Sequence, residues 1–312
     1  MNDILEKKHN PWQSLIILLL LTVAYSFGIQ LLVFFIGIVT TGNMTEVLSS
    51  GGGNLSILNS YPFFMYALLA AGTFSTFYLP AILLQYRERY FDYFPSENKN
   101  NYLLYAIGVL LLLAFSPLMG LIGEWNANMS LPEGLKGVEN WMRMKEEESA
   151  ALVQQIVMTD KLGFLVMNII VMAVFPAIAE EYYFRGSLMH IFQRLFKNQH
   201  LAIWVTAIIF SAIHVQFFGF FPRMILGVFF GYLLIWTNNI WVPILGHFVN
   251  NAAVTVWAYY YAIQGKSFEE LQNYDSYSIF VYLGSFIATA AIVVFLYQKS
   301  KIYTTHNGER LG

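Results

Sequence analysis

Long apolar runs dominate the chain, with neither the alternation of a half-buried strand nor the single stripe of a soluble amphipathic helix. A helix needs about 20 mostly apolar residues to cross a bilayer. Eight stretches approach that length, at 15–39, 62–85, 102–123, 162–179, 201–221, 224–237, 241–263 and 278–298. The sixth is short and requires tight turns at both ends. The first follows Lys7 and Lys8 as a signal peptide would. It stays apolar through Val39, beyond the roughly 7–15 residues of a cleaved signal, and reads as a retained anchor. Gly51, Gly52 and Gly53, with Ser and Asn neighbours, read as a flexible external loop. From Glu133 to Asp160 the chain turns polar, and Val138, Trp141, Met142, Met144 and Lys145 there predict a helix lying on the membrane surface, its acidic run a solvated face. The pattern predicts an all-α polytopic membrane protein of about eight transmembrane helices, with no repeat and no boundary that sets off a second globular domain.

Composition sharpens this reading. The 312 residues are 57% hydrophobic and only 12% charged, against about 25% charged in a soluble domain. A net charge of −2 without any Lys/Arg block gives no footprint for nucleic acid. The absence of cysteine excludes disulfides, thiolate zinc sites, iron–sulfur clusters and a cysteine nucleophile. Eight spans place both termini on one side. Of the 17 Lys and Arg residues, 11 fall in the two tails and the even-numbered connections and 6 in the odd-numbered ones, so both termini are expected in the cytoplasm.

The chemistry is concentrated in the fourth to seventh spans. Glu180 and Glu181 are the only carboxylates between Lys161 and Phe268, and they close the apolar run of the fourth span. A charge in the membrane costs on the order of 3 kcal/mol even on lenient scales, so the pair needs a partner or a watery cavity. Arg185 lies one helical turn after Glu181 and is its natural ion-pair partner; Glu180, about 100° around the helix, faces elsewhere. An interfacial ion-pair cluster would account for these three residues alone. The next span adds Phe210 and His214 one turn apart, and the seventh adds His247 and Asn251 on one face, with Asn250 beside them. If the fourth and fifth spans form a hairpin turning near Lys197 and Asn198, Glu180 and His214 are level. Turns near Phe220 and Asn239 bring His247 to within about 7 Å of that depth, and Gly227 and Gly231 allow the sixth helix to pack closely. With the acids at the cytoplasmic end of the fourth span, the cavity is expected to open to the cytoplasm. A glutamate, two histidines and an asparagine around a cavity suit hydrolysis by activated water, with Glu as general base and His and Asn meeting the oxyanion. A zinc-bound water held by Glu180, His214 and His247 is the alternative, although the helical His-Glu-x-x-His pattern is missing.

Glu-Glu-x-x-x-Arg at 180–185, Phe-x-x-x-His at 210–214 and His-x-x-x-Asn at 247–251 resemble the motifs of the CPBP family, the CAAX proteases and bacteriocin-processing proteins. Its members include the Ras-converting CAAX endopeptidase and prokaryotic abortive-infection proteins. The resemblance implies an eight-helix intramembrane endopeptidase in which Glu180 activates water with help from His214, His247 and Asn251 hold the oxyanion, and Glu181, Arg185, Phe210 and Asn250 support them. It divides the chain into amino-terminal helices and a surface segment (1–161), a protease core (162–263) and a last helix and tail (264–312). The implied partners are a membrane-associated peptide or protein substrate and the lipid bilayer, with no nucleic acid and no firm cofactor. A prenyl group on the substrate does not follow from the motifs. Two readings stand beside this one: a non-catalytic protein for bacteriocin immunity or protein sorting, and a proton-coupled transporter.

Overall fold

A computed structural model describes residues 10–41, 62–97, 100–272 and 276–306. Lys7, Lys8 and the Gly51–Gly53 loop lie outside these residues. The described chain is helical, and no strand longer than the isolated bridge between Ser96 and Asn239 occurs in it. The helices are α1 (Pro11–Thr41), α2 (Pro62–Arg87), α3 (Tyr102–Ala127), α4 (Lys136–Val157), α5 (Leu162–Phe196), α6 (Gln199–Ala212), α7 (Phe220–Thr237), α8 (Trp241–Ile263) and α9 (Ile279–His306). Apart from α4 they match the eight apolar stretches. Among the described residues six helices are long and apolar enough to cross a membrane, counting α7 from Phe217. Helix α6 is too short, and α8 is diluted by His247, Asn250, Asn251 and Thr255.

Exposed aromatic residues ring the bundle at two levels. Trp12, Tyr86, Tyr90, Tyr102 and Trp241 mark the end where α1 begins and α9 finishes, here the near face; Trp125, Trp257, Tyr260 and Tyr277 mark the far face. Such belts sit at the two membrane–water boundaries. The turns between core helices follow from local chemistry. Lys197 ends α5 in the left-handed region (φ 55°), and the Asn198 side chain caps α6 by accepting the Leu201 N–H at 3.0 Å. Asn238 (φ 47°) ends α7 in the same way.

Two predicted boundaries are corrected. The fourth span does not end at the acids: α5 continues to Phe196, because Phe184, Leu188, Met189 and Ile191 keep burying apolar surface below them. The fifth span stops at Ala212 rather than running to Phe221. Val215 takes φ 53°, a conformation no helix can continue through, and the Ser211 hydroxyl donates to Phe220 O at 2.7 Å to hold the bend. The small-residue pair acts as expected. A Cβ at Gly227 would lie 3.0 Å from that of Ala207, and one at Gly231 2.9 Å from Ile203, so α6 and α7 touch at a separation only glycine permits.

The polar segment does form a helix, α4, which lies across the loop between α6 and α7. Trp141 packs on Phe217, the Arg143 guanidinium sits 4.3 Å over Phe218, and Glu146 accepts the Phe218 N–H at 3.2 Å. Its Glu139 is buried and accepts from Arg143, Lys136 and the Leu131 N–H.

Candidate active site

Helix α5 carries both acids in its middle, flanked by two π-helical turns, Ile169–Val174 and Tyr182–Leu188. Such turns shift the angular register of side chains and are common at functional sites. Pro176 lies just after the first. It has no N–H to give to Met172 O, the acceptor one α-helical turn back, and the Asn251 side chain of α8 donates there instead at 3.2 Å. Asn250 in turn donates to Asn251 Oδ1 at 3.2 Å. Asn251 is therefore fixed by a vacancy in the backbone ladder of the neighbouring helix.

Glu181 and Arg185 pair at 2.8 Å, with side chains 0% and 1% exposed. The guanidinium lies 4.4 Å from the Phe210 ring centre and 5.4 Å from that of Phe230. The same Glu181 oxygen receives His247 Nδ1 at 2.8 Å, and His247 Nε2 stands 3.8 Å from Glu180 Oε2. Phe230 stacks on the imidazole at 5.4 Å. A buried ion pair repays its desolvation only with such fixed geometry. Here the pair, the two rings and His247 form one unit that brings α5, α6, α7 and α8 together.

Glu180 is left outside that unit as the sequence spacing predicts, its side chain 12% exposed and with only His247 within ion-pairing distance among the described residues. His214 lies two residues past the end of α6, not inside a span. Its Nδ1 is 2.7 Å from Phe210 O, and since a carbonyl only accepts, the proton sits on Nδ1 and Nε2 is left as an acceptor. Phe210 contacts both imidazoles, at 5.2 Å for His214 and 6.0 Å for His247. Glu180 and His214 also lie in the fields of the same three groups, His247, Arg185 and Arg223. The structure thus brings Glu180, Glu181, Arg185, Phe210, His214 and His247 into one cluster, with Asn250 and Asn251 beside it on α8.

Sequence reasoning passed over Arg223 and Gln216. Arg223 Nη2 donates to Gln216 Oε1 at 2.6 Å, above the loop that holds His214. The available signal was that Arg223 is the only Lys or Arg between Lys197 and Lys266. As metal ligands, Glu180, His214 and His247 do not fit as placed: among the described residues no group of three or more carboxylate and imidazole side chains is positioned to hold an ion.

Residues 162–253 match the family described as type II CAAX prenyl endopeptidase Rce1-like, a stretch that contains every residue of this cluster. That stretch of the chain is thus similar to the family, over 92 of the 312 residues. An uncharacterized protein of Bacillus subtilis (strain 168), YpbD, is 29% identical over 89 residues, 27% of this chain and 42% of that protein. The match thus spans less than half the length of that relative. No solved structure matches.

Proposed function

We propose that the protein is an intramembrane endopeptidase of the CAAX-protease type, in which Glu180 activates the water that attacks a peptide carbonyl. The observation that carries this reading is the division between the two acids. Glu181 is engaged by Arg185 and His247 at 2.8 Å each, whereas Glu180 has only His247 within ion-pairing distance among the described residues, at 3.8 Å. In the reaction Glu180 takes a proton from water while hydroxide adds to the carbonyl carbon, and it returns that proton to the leaving amine as the C–N bond breaks. His214 Nε2, an acceptor, orients the water. His247, held by Glu181 at Nδ1, meets the developing oxyanion when Nε2 carries a proton as well, so that both ring nitrogens donate, and Asn251 has a second N–H beyond the one given to Met172 O. No step is routed through a metal. The resemblance to bacteriocin-processing proteins allows a role in maturation or immunity, and the Lys/Arg distribution supports a cell membrane with both termini cytoplasmic. The division into 1–161, 162–263 and 264–312 belongs to the same proposal.

The test is cleavage of a panel of membrane-anchored peptides, prenylated and not, by the purified protein. Glu180→Gln keeps shape but cannot take the proton, and is expected to lower turnover about 10²–10⁴-fold with its melting temperature unchanged. Glu181→Gln removes the anion of a buried Arg185 and is expected to lose about 3–5 kcal/mol of stability. Wild-type turnover in Glu180→Gln would remove the mechanism, and equal melting of the two variants would remove the division of labour.

A further inference from the structure

The side from which the cluster is reached can be read from what lies above and below it. Toward the near face the packing is closed. Tyr93, Phe184, Leu188, Met189, Ile203, Leu234 and Ile240 are buried there in one continuous apolar cluster. A Cβ at Gly186, five residues below Glu181, would already meet Tyr93 O at 2.9 Å. Water has no path through such a core.

Toward the far face the chain does the opposite. Helix α6 has 14 residues and rises roughly 21 Å at about 1.5 Å per residue, well short of the ~30 Å hydrocarbon layer. The loop 213–219, helical only in its short 3₁₀ turn Phe217–Gly219, therefore lies below the far membrane surface. Irregular backbone at that depth is tolerated only where protein buries it or water reaches it. This loop is partly exposed, at Val215 by 40%. Its surroundings are polar: Gln216, Arg223 and Glu146 are half-buried around it, as are Asn250 and Asn251 on α8. A cavity of about 230 Å³ beside them is lined by the late turns of α3 (Met119, Gly120, Gly123), the early turns of α7 (Pro222, Leu226) and Asn250. Asn126, at the far end of α3, bonds Phe217 O at 3.1 Å and the Phe221 N–H at 2.9 Å, and α4 crosses over the top.

We propose that the Glu180–His214–His247 site opens to the far face and, with the near face cytoplasmic, acts on a polypeptide segment exposed outside the cytoplasm. This reverses the direction expected from the sequence, because the acids do not mark the end of α5. That the ligand is a polypeptide rests on the hydrolase reading; the direction of opening does not. Exported or surface-anchored chains are then the substrate class, and the cytoplasmic face supplies none of the water.

The chain has no cysteine, so single cysteines report accessibility without background. Glu147→Cys on α4 and Gln216→Cys in the loop are expected to react with a membrane-impermeant maleimide in intact cells. Gln199→Cys, exposed at the near end of α6, is expected to react only after permeabilisation. Where Gln216→Cys fails to fold, Asn250→Cys in the cavity reads the same opening. Loop labelling that follows Gln199 rather than Glu147 would overturn the direction of opening. So would a loop cysteine that reacts only after denaturation. Labelling of Glu147 and Gln216 only after permeabilisation, with Gln199 reactive in intact cells, would overturn the extracytoplasmic substrate. Loss of the protease reading, by an active Glu180→Gln, leaves each of these results standing on its own.

Discussion

At the scale of single residues, position within a contact network outweighs chemical type. Glu180 and Glu181 are the same side chain one residue apart, yet one is in a fully buried ion pair at 2.8 Å and the other has only His247 near it, at 3.8 Å. That distinction was legible in sequence, because Arg185 stands one turn from Glu181 alone. The placement of His214 was not. Nothing in an apolar pattern that runs on to Phe221 announces a left-handed Val215. Gly227 shows the same sensitivity to position. A methyl group there would press within 3.2 Å of Arg185 Nη2 as well as on Ala207, whereas one at Gly120 meets nothing within 4 Å. Gly227→Ala is therefore expected to lose about 1–3 kcal/mol through overpacking and to lower turnover by moving Arg185 and its partners. Gly120→Ala is expected to melt no lower than the wild type. Thermal melts and rates on the same preparations decide it, and a wild-type Gly227→Ala would show that the guanidinium has room to move.

At the scale of elements, existence and order were readable and function was not. Periodicity located α4, but its surroundings show it to be the roof of the His214 loop, fixed by contacts from Trp141, Arg143 and Glu146 that no spacing rule foretells. The start of α4 is tied down by Glu139. The Leu131 N–H, then Arg143 and Lys136, pull its carboxyl from the ordinary 4.5 to about 2. A carboxyl depressed on folding contributes stability that is complete above its unfolded value and is lost as pH falls through the folded one. The α3–α4 junction is thus expected to hold at pH 6 and loosen progressively between about pH 4.5 and 2. Hydrogen exchange across 129–143 measures this. Glu139→Gln is expected to be loose already at pH 6 and to lose the acid dependence over that interval, and a pH-dependent Gln variant would assign the effect to another group.

At the scale of the whole molecule, α1 has the smallest buried share among the candidate spans over its most apolar stretch, with many of its apolar side chains exposed. It is fastened at its near end by a polar knot. Ser14 donates to both oxygens of buried Glu88, at 2.7 and 2.9 Å; Tyr93 donates to Glu88 at 2.6 Å; and Arg194, from the end of α5, pairs with it at 3.3 Å. One carboxylate thus joins α1, the α2–α3 loop and α5. Glu88→Gln removes the charge that Ser14, Tyr93 and Arg194 share, at a site where the arginine is 9% exposed. It is expected to cost about 3–5 kcal/mol and to release α1 to limited proteolysis before the core melts. Simultaneous loss of α1 and the core would show that the knot is not a separate fastening. Overall architecture was the most legible level, since hydrocarbon thickness and backbone hydrogen bonding leave an apolar chain few alternatives. The knot was not legible, because its members lie up to 180 residues apart.

Val215 carries a consequence for how the protein divides its stability. A β-branched residue in the left-handed region is held there against its own preference, at about 1–2 kcal/mol, and it follows directly on His214. Glycine would accept the bend without that penalty but would give the loop more ways to move. Val215→Gly is thus expected to leave the melting temperature level or raised while turnover falls. The wild-type chain, on this reading, spends folding stability on stiffness, holding one imidazole still in the bend between α6 and α7.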